Sequence, residues 1–288
     1  LNFVGSGVTA SGTGATKTIT ISGGGGGGLS SDSDGNTLAG TEAGDSLTSG
    51  AIRNTLLGYK AGDTLTTQDN NVFIGYESGG AATQNVCIGS FAGSNITGTD
   101  NVGIGHAALS GSNSTEGNVA VGAASLQYQT SGTRNTALGY YASQKSTSQA
   151  DGTHVGYMAG YKITTGTSNT SVGSQALYDC TTGSKNTCLG FKAGNSGTND
   201  ITSGDNNLIL GYNAAASSAT VDNEITLGDT NITKFRIPGL NSFEINDNGQ
   251  FSGVASTASS TAGVRVIYAS TASPSGGSDG DIWIKYTS

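Results

Sequence analysis

Proline is almost missing from this chain, with two residues in 288, and charge is scarce as well. Charged residues make up 11% of the sequence, under half of the roughly 25% usual in a globular domain. The 12 Lys and Arg are scattered among 20 Asp and Glu, for a formal net charge of −8. Phosphate recognition needs clustered cations, so this balance argues against nucleic acid as a partner. One Met, one Trp and two His leave little material for metal cages or acid–base relays, and no cofactor is expected. Three Cys cannot all pair within one chain, and their spacing fits neither a disulfide framework nor a zinc site. They read as small buried hydrophobes. No stretch reaches the roughly 18 apolar residues that would cross a bilayer, so no membrane insertion is expected. Residues 1–28 lack both the basic start and the apolar run of a signal peptide. With Leu1 where a start Met would stand, the chain reads as a segment of something longer, from which a signal peptide could have been removed.

Glycine, by contrast, is abundant at 48 residues, and Ser, Thr and Asn accompany it from end to end. Such a chain favours turns and strands over helices. Hydrophobic residues at 34% are enough for a core, and they recur at even spacing. The recurring unit is Asn-x-x-(Ile/Leu/Val)-Gly. It appears as NTLLG ending at Gly58, NVFIG at Gly75, NVCIG at Gly89, NVGIG at Gly105, NVAVG at Gly122 and NTALG at Gly139. A degenerate GTHVG follows at Gly156, then NTSVG at Gly173, NTCLG at Gly190, NLILG at Gly211 and EITLG at Gly228, with NTLAG at Gly40 as a first copy. From Gly58 onward the steps are 17, 14, 16, 17, 17, 17, 17, 17, 21 and 17 residues. Three residues after most of these glycines stands Ala or Ser, from Ala61 to Ala214.

Seventeen residues are too few for two helices and fit one turn of a β-solenoid: a strand, a corner at the Gly, a second short strand and a return loop. The fold class expected is all-β, a parallel β-solenoid of 11–12 rungs, on the order of 50–60 Å long at roughly 4.8 Å per rung. Alternation along the pentad assigns its second and fourth places to the rung interior, as in Val72 and Ile74, Val86 and Ile88, Val102 and Ile104. The third place then faces outward, yet it is never charged: Leu56, Phe73, Cys87, Gly103, Ala120, Ala137, His154, Ser171, Cys188, Ile209. A second uncharged face calls for a second copy of the chain, and an oligomer is expected. The first-place residues Asn71, Asn85 and Asn101 suit a side-chain ladder from rung to rung.

The Asn, Ile, Gly and Ala places of this repeat, seen in Asn71, Ile74 and Gly75, in Asn85, Ile88 and Gly89, and in Asn101, Ile104 and Gly105, resemble the head repeat of trimeric autotransporter adhesins. That resemblance covers about Asn36 to Asp229 and implies a left-handed β-roll with three chains side by side. The longer return loops, such as 96–100, 163–169 and 201–206, resemble the variant found in tail fibres of tailed phages. The flanks point the same way. Residues 1–22 read as a β hairpin (Val8 to Thr9 with Lys17 to Ile21) like a module of phage fibre proteins, followed by a Gly/Ser-rich linker over 23–35. The shaft spans 36–229, and 230–253 resembles the segment that closes such repeats in fibres. Residues 254–263 read as a linker, and 264–288 as a small β tip around the turn at Pro274 to Gly280. The resemblance implies a homotrimeric virion fibre, bound to other virion proteins and displayed as an external appendage for attachment to the host surface. A bacterial trimeric adhesin head at the cell surface, and a capsid-decorating or purely structural fibre, are the alternatives.

The place after the repeat Gly holds Tyr59, Tyr76, Tyr140, Tyr157, Phe191 and Tyr212, interspersed with Ser90, His106, Ala123 and Ser174. Stacked rungs would align these rings into a ladder, either a recognition surface for host glycans or a brace for the stack. His106 and His154 sit at different places of the rung and do not converge on a metal. The loop carboxylates Asp63, Asp69, Asp100, Asp151, Asp179, Asp200 and Asp205 read as a solvated face that protects strand edges, with cation binding as the other possibility. Glycosidase chemistry needs a placed carboxylate pair. Glu77 and Asp69 are no more specific than many others, so the chain is not read as an enzyme. Cys87 and Cys188 share one strand place on distant rungs and cannot bond within a straight rod, while threefold copies of one Cys could meet near an axis.

Overall fold

The computed structural model describes residues 30–111 and 114–236, together with the short strands 8–11, 18–21, 244–246, 251–252, 267–270 and 282–285. Two units divide the chain, Leu1–Asp229 and Thr230–Ser288. In the first unit β1 (Val8–Ser11) and β2 (Thr18–Ile21) pair antiparallel with Val8 opposite Ile21. The glycine run of the expected linker lies outside the described residues.

The remaining described residues of this unit form one thirteen-stranded sheet and the turns that return between its strands. It begins at β3 (Ser30–Ser31), inside the stretch read as linker, which pairs antiparallel with β4 (Thr37–Ala39). From there every pairing is parallel and stays in step with the repeat: β5 (Thr55–Leu57), β6 (Val72–Ile74), β7 (Val86–Ile88), β8 (Val102–Ile104), β9 (Val119–Val121) and β10 (Thr136–Leu138). Then come β11 (Thr153–Val155), β12 (Thr170–Val172), β13 (Thr187–Leu189), β14 (Leu208–Leu210) and β15 (Ile225–Leu227). The result is a parallel β-solenoid of about 11 turns, without helix among the described residues. Each rung contributes one three-residue strand. The second strand expected per rung is replaced by turns whose backbone groups still bond from rung to rung. Thr147, Thr164 and Thr181 each donate through N–H to the carbonyl of the next Thr in that column, and each hydroxyl adds a second bond at 3.0–3.1 Å.

The two faces of the strand are the reverse of the expected assignment. The third place is interior: Leu56, Phe73, Cys87, Ala120, Ala137, His154, Ser171, Cys188 and Ile209 are all fully buried. The second and fourth places point out and are half-buried or exposed, with Ile104, Leu138, Val172 and Leu189 among the exposed aliphatics. Alternation fixes that the two sets oppose each other; which set is enclosed depends on the turn that follows. The corner glycine turns the chain in a left-handed conformation, with φ 132° at Gly105, where an added Cβ would sit 2.7 Å from the Gly122 carbonyl oxygen. The next segment thus folds back over the third-place side chain.

Inside, size is exchanged between two places of the same rung. The bulky third-place residues Leu56, Phe73 and His154 face a glycine six positions later, at Gly62, Gly79 and Gly160, and Cys87 and Cys188 likewise face Gly93 and Gly194. A Cβ on Gly62 would lie 2.8 Å from Leu56 Cδ2, and one on Gly79 would overlap the Phe73 ring. Small third-place residues face a large one: Gly103/Leu109, Ala120/Leu126 and Ser171/Leu177, with all three leucines fully buried. These leucines hold left-handed φ values of 46–55°. That conformation costs roughly 1–2 kcal/mol for a residue with a Cβ, which burial of the side chain offsets.

The first-place asparagines are buried in a ladder. Asn71 Nδ2 donates to Asn54 Oδ1 at 3.0 Å and to the Ala82 carbonyl of its own return loop at 2.8 Å, while its Oδ1 accepts the Asn85 backbone N–H at 3.0 Å. Asn101, Asn118 and Asn135 repeat the pattern. At the start Asp32 stands in for a preceding Asn, accepting the Asn36 backbone N–H and side-chain amide at 2.9 and 2.8 Å. At the other end Glu224 occupies the Asn place. Its N–H donates to Asn207 Oδ1, and its carboxylate turns to Ser217 N–H and the Thr226 hydroxyl. Bonds from Asn36 and from Ser217 hold these two carboxyls below their ordinary range.

In the second unit β16 (Lys234–Arg236), β17 (Glu244–Asn246) and β18 (Phe251–Ser252) form an antiparallel sheet within the segment read as repeat-closing. In the expected β tip β19 (Ile267–Ser270) and β20 (Ile282–Lys285) pair parallel. The 254–263 linker and the Pro274 to Gly280 turn lie outside the described residues.

Candidate functional site

The rings after the corner glycines come together as three short groups rather than one column. Tyr59 and Tyr76 stack with centroids 5.2 Å apart, and Phe91 and His106 continue that group by edge contacts at 5.2 and 6.1 Å. Tyr140 and Tyr157 stack at 6.0 Å, and Phe191 and Tyr212 at 5.3 Å. All six expected ladder residues are exposed, from 39% at Tyr59 to 63% at Tyr212. Within each stacked pair the facing surfaces cover one another, so the outward offer is ring edges and, on the tyrosines, hydroxyls. Lysines lie over the outer rings, Lys60 at 5.6 Å from the Tyr59 centroid and Lys192 at 5.7 Å from that of Phe191.

A second aromatic column was not foreseen. Tyr161 and Tyr178 stack at 4.9 Å, Tyr141 meets Tyr161 edge-on at 6.2 Å, and Tyr141 touches Tyr140 at 3.8 Å, joining the two columns. Lys145 lies 5.4 Å over the Tyr161 ring and Lys162 5.1 Å over Tyr178. Lys162 also pairs with Asp179. Aligning the rungs by their glycines exposes the signal, since the fifth and sixth residues after the Gly are bulky only here.

The interior carries a polar stretch centred on the degenerate GTHVG rung. Gly152 replaces the first-place Asn, and its N–H still donates to Asn135 Oδ1 at 2.8 Å. The missing side chain makes room for Gln149, whose amide contacts His154 Nε2 and accepts the Ser143 hydroxyl at 2.8 Å. His154 Nδ1 bonds Ser171 Oγ at 2.7 Å. Burial pushes His154 down to about 3, so the ring is neutral. This His faces the interior, not the outer face expected for it.

The three cysteines are buried free thiols inside the solenoid, and burial pushes each up to about 12. They do not face a neighbouring copy. Of the loop carboxylates, Asp69 and Asp205 accept backbone N–H groups of neighbouring rungs at 2.9 and 2.7 Å, and Asp151 forms a bidentate pair with Arg134 at 2.7 and 3.0 Å. Among the described residues no three His, Cys, Asp or Glu side chains group as metal ligands, and no helix is long and apolar enough to cross a membrane. Glu77 hydrogen-bonds Tyr76 and raises its phenol, and no carboxylate partner for it emerges. No family model matches this sequence, and no curated protein or solved structure is significantly similar to it.

Proposed function

We propose that this chain is the shaft of a virion fibre of a tailed phage, a left-handed β-roll assembled as a homotrimer and displayed for attachment to the host surface. The reading is supported by the outward column at the fourth place, which runs Leu57, Ile74, Ile88, Ile104, Val121, Leu138, Val155, Val172, Leu189, Leu210 and Leu227 without one polar residue. An aliphatic stripe along a whole sheet is the kind of exposed patch that a lone protein avoids. Only a partner with the same rung spacing can cover it at every level, and a copy of the same chain has that spacing by construction. The third-place residues that first suggested a partner are enclosed within the protomer. The face that calls for a partner is the opposite one, with its eleven aliphatic positions. Trimerisation would leave the rod rigid and its other faces open to repeated weak contacts, which add through avidity.

Light scattering on the native chain tests assembly: a trimer mass is expected, and a monomer overturns it. Immunogold labelling of a lysate tests location. Gold at tail tips or baseplates is expected. Gold on capsids would assign a decorating fibre instead, and gold on intact cells with bare particles would make the chain a bacterial adhesin head.

A further inference from the structure

The solenoid presents one surface whose side chains differ in kind from those at the same places elsewhere. The fifth and sixth residues after the corner glycine are small on most rungs: Asp63 and Thr64, Gly80 and Ala81, Ser110 and Gly111, Ala216 and Ser217. On four consecutive, evenly spaced rungs at least one of the two is Gln, Tyr or Lys. Gln127 and Tyr128 come first, then Gln144 and Lys145, Tyr161 and Lys162, Tyr178 and Asp179. Since each rung rises by roughly 4.8 Å, these pairs form a two-by-four grid of planar or hydrogen-bonding groups with no aliphatic member. The members are in contact: Gln144 Nε2 donates to Gln127 Oε1 at 2.6 Å, Tyr161 stacks on Tyr178, and the two lysines lie over those rings. Tyr128 is 53% exposed and Lys145 is exposed. The fold does not demand this bulk, because its other rungs close with small residues at the same places.

We infer that this grid binds an acidic polysaccharide chain of the host surface, a reading that rests on the fibre proposal and names the ligand class and place. The chemistry that selects the ligand is local. The exposed Tyr128 and the half-buried Gln127, Tyr161 and Tyr178 bring hydroxyls and an amide, the groups that hydrogen-bond sugar hydroxyls, while the buried Gln144 holds Gln127 in place, and Tyr offers contact area at low entropic cost. The grid holds two ammonium groups and one carboxylate, Asp179, which is paired with Lys162. Among the described residues Lys145 has no carboxylate within ion-pair reach, so its charge is available to a uronate. The patch is cationic on a chain whose formal charge is −8. A polyanion is repelled by the molecule as a whole and is held only where this balance is reversed. Along each rung the grid follows the corner glycine, whereas the aliphatic column precedes it.

Affinity electrophoresis of the full chain through gels holding polygalacturonate, or neutral dextran, tests the inference. Retardation by polygalacturonate and not by dextran is expected, weakening as salt rises above physiological strength. Tyr128→Ser with Lys145→Gln, both at exposed positions, is expected to weaken retardation by about tenfold or more, which is the effect of 1.4 kcal/mol. Arg53→Gln with Lys185→Gln removes charge at exposed positions away from both aromatic columns and is expected to leave retardation unchanged. Unretarded wild type, a grid variant that migrates like wild type, or equal losses in both variants would each overturn the assignment. Circular dichroism verifies folding, and light scattering keeps the result separate from the fibre reading, since a trimer that ignores polygalacturonate overturns the grid alone.

Discussion

If interior size is exchanged between the third place and the residue six positions later, one rung can be rewritten as another. The Gly122 rung carries Ala120 and Leu126, and the Gly58 rung carries the opposite arrangement, Leu56 and Gly62. Leu126→Gly alone empties a fully buried leucine site, worth roughly 2–5 kcal/mol, less about 1 kcal/mol recovered because φ 46° suits glycine. A net loss of about 3 kcal/mol is expected. Ala120→Leu alone drives a side chain into space that Leu126 fills. In the Gly58 rung a single added methyl at Gly62 would already lie 2.8 Å from Leu56, so a loss of about 3 kcal/mol, the upper part of the overpacking range, is expected here too. The double variant rebuilds the Leu56/Gly62 arrangement and is expected within about 1 kcal/mol of the parent, which makes the coupling about 5 kcal/mol. Thermal denaturation followed by circular dichroism should show each single variant melting about 6–12 °C below the parent and the double variant close to it. Because a solenoid can melt rung by rung, amide exchange in residues 118–135 provides the local measurement. A double variant that loses the sum of the two single losses would refute the exchange and leave the glycines to backbone geometry alone.

Other consequences are as direct. His154 is neutral in the folded chain, at about 3, against roughly 6.5 unfolded, so the unfolded state binds one more proton between those values and stability falls as pH drops below 6.5. By pH 4 this costs about 3 kcal/mol, and His154→Gln should flatten that part of the profile in urea titrations, whereas a profile parallel to the parent's would contradict it. Asn118→Ala removes two donors and one acceptor from the buried ladder and leaves the Gly132 carbonyl and Asn135 N–H without partners, for an expected loss of about 3 kcal/mol by denaturant midpoint. The three thiols should resist a disulfide reagent at pH 8 in the native chain and all react after denaturation; rapid native reaction would place at least one at the surface. Leu138→Asp, on the outward column and 47% exposed, should leave circular dichroism unchanged while lowering the mass seen by light scattering.

Much of this was legible in the sequence because the repeat is short and its glycines are spaced almost evenly. The rung length, the parallel register and the Asn ladder all follow from aligning the pentads. Which strand face is enclosed did not follow. Val72 and Ile74 look more like a core than a column holding Phe73, Gly103, His154 and Ser171. The column makes sense only beside Gly79, Leu109, Gly160 and Leu177, whose sizes complement it six residues away. Two lines of alternation cannot reveal a volume conserved across a turn. The grid at 127–179 escaped for a similar reason, since no residue type repeats within it and only bulk sets it apart. The parallel pairing of β19 and β20 was hidden because 11 residues between two short strands read equally well as a hairpin loop.

The Asn ladder has a direction, since the backbone N–H at the first place donates to the side-chain oxygen of the preceding Asn, and its two ends are written by different residues from its middle. Asp32 opens it and Glu224 closes it, and between them the same bonds recur except at Gly152, where the side chain is missing. Length is therefore inherited separately from termination. A duplicated or deleted 17-residue segment within the series lengthens or shortens the stack by one step and leaves both end statements intact. The 14-, 16- and 21-residue steps are places where the return loop has been edited without breaking the sentence. Recombination between its own repeats would change the number of rungs with no new contact to invent.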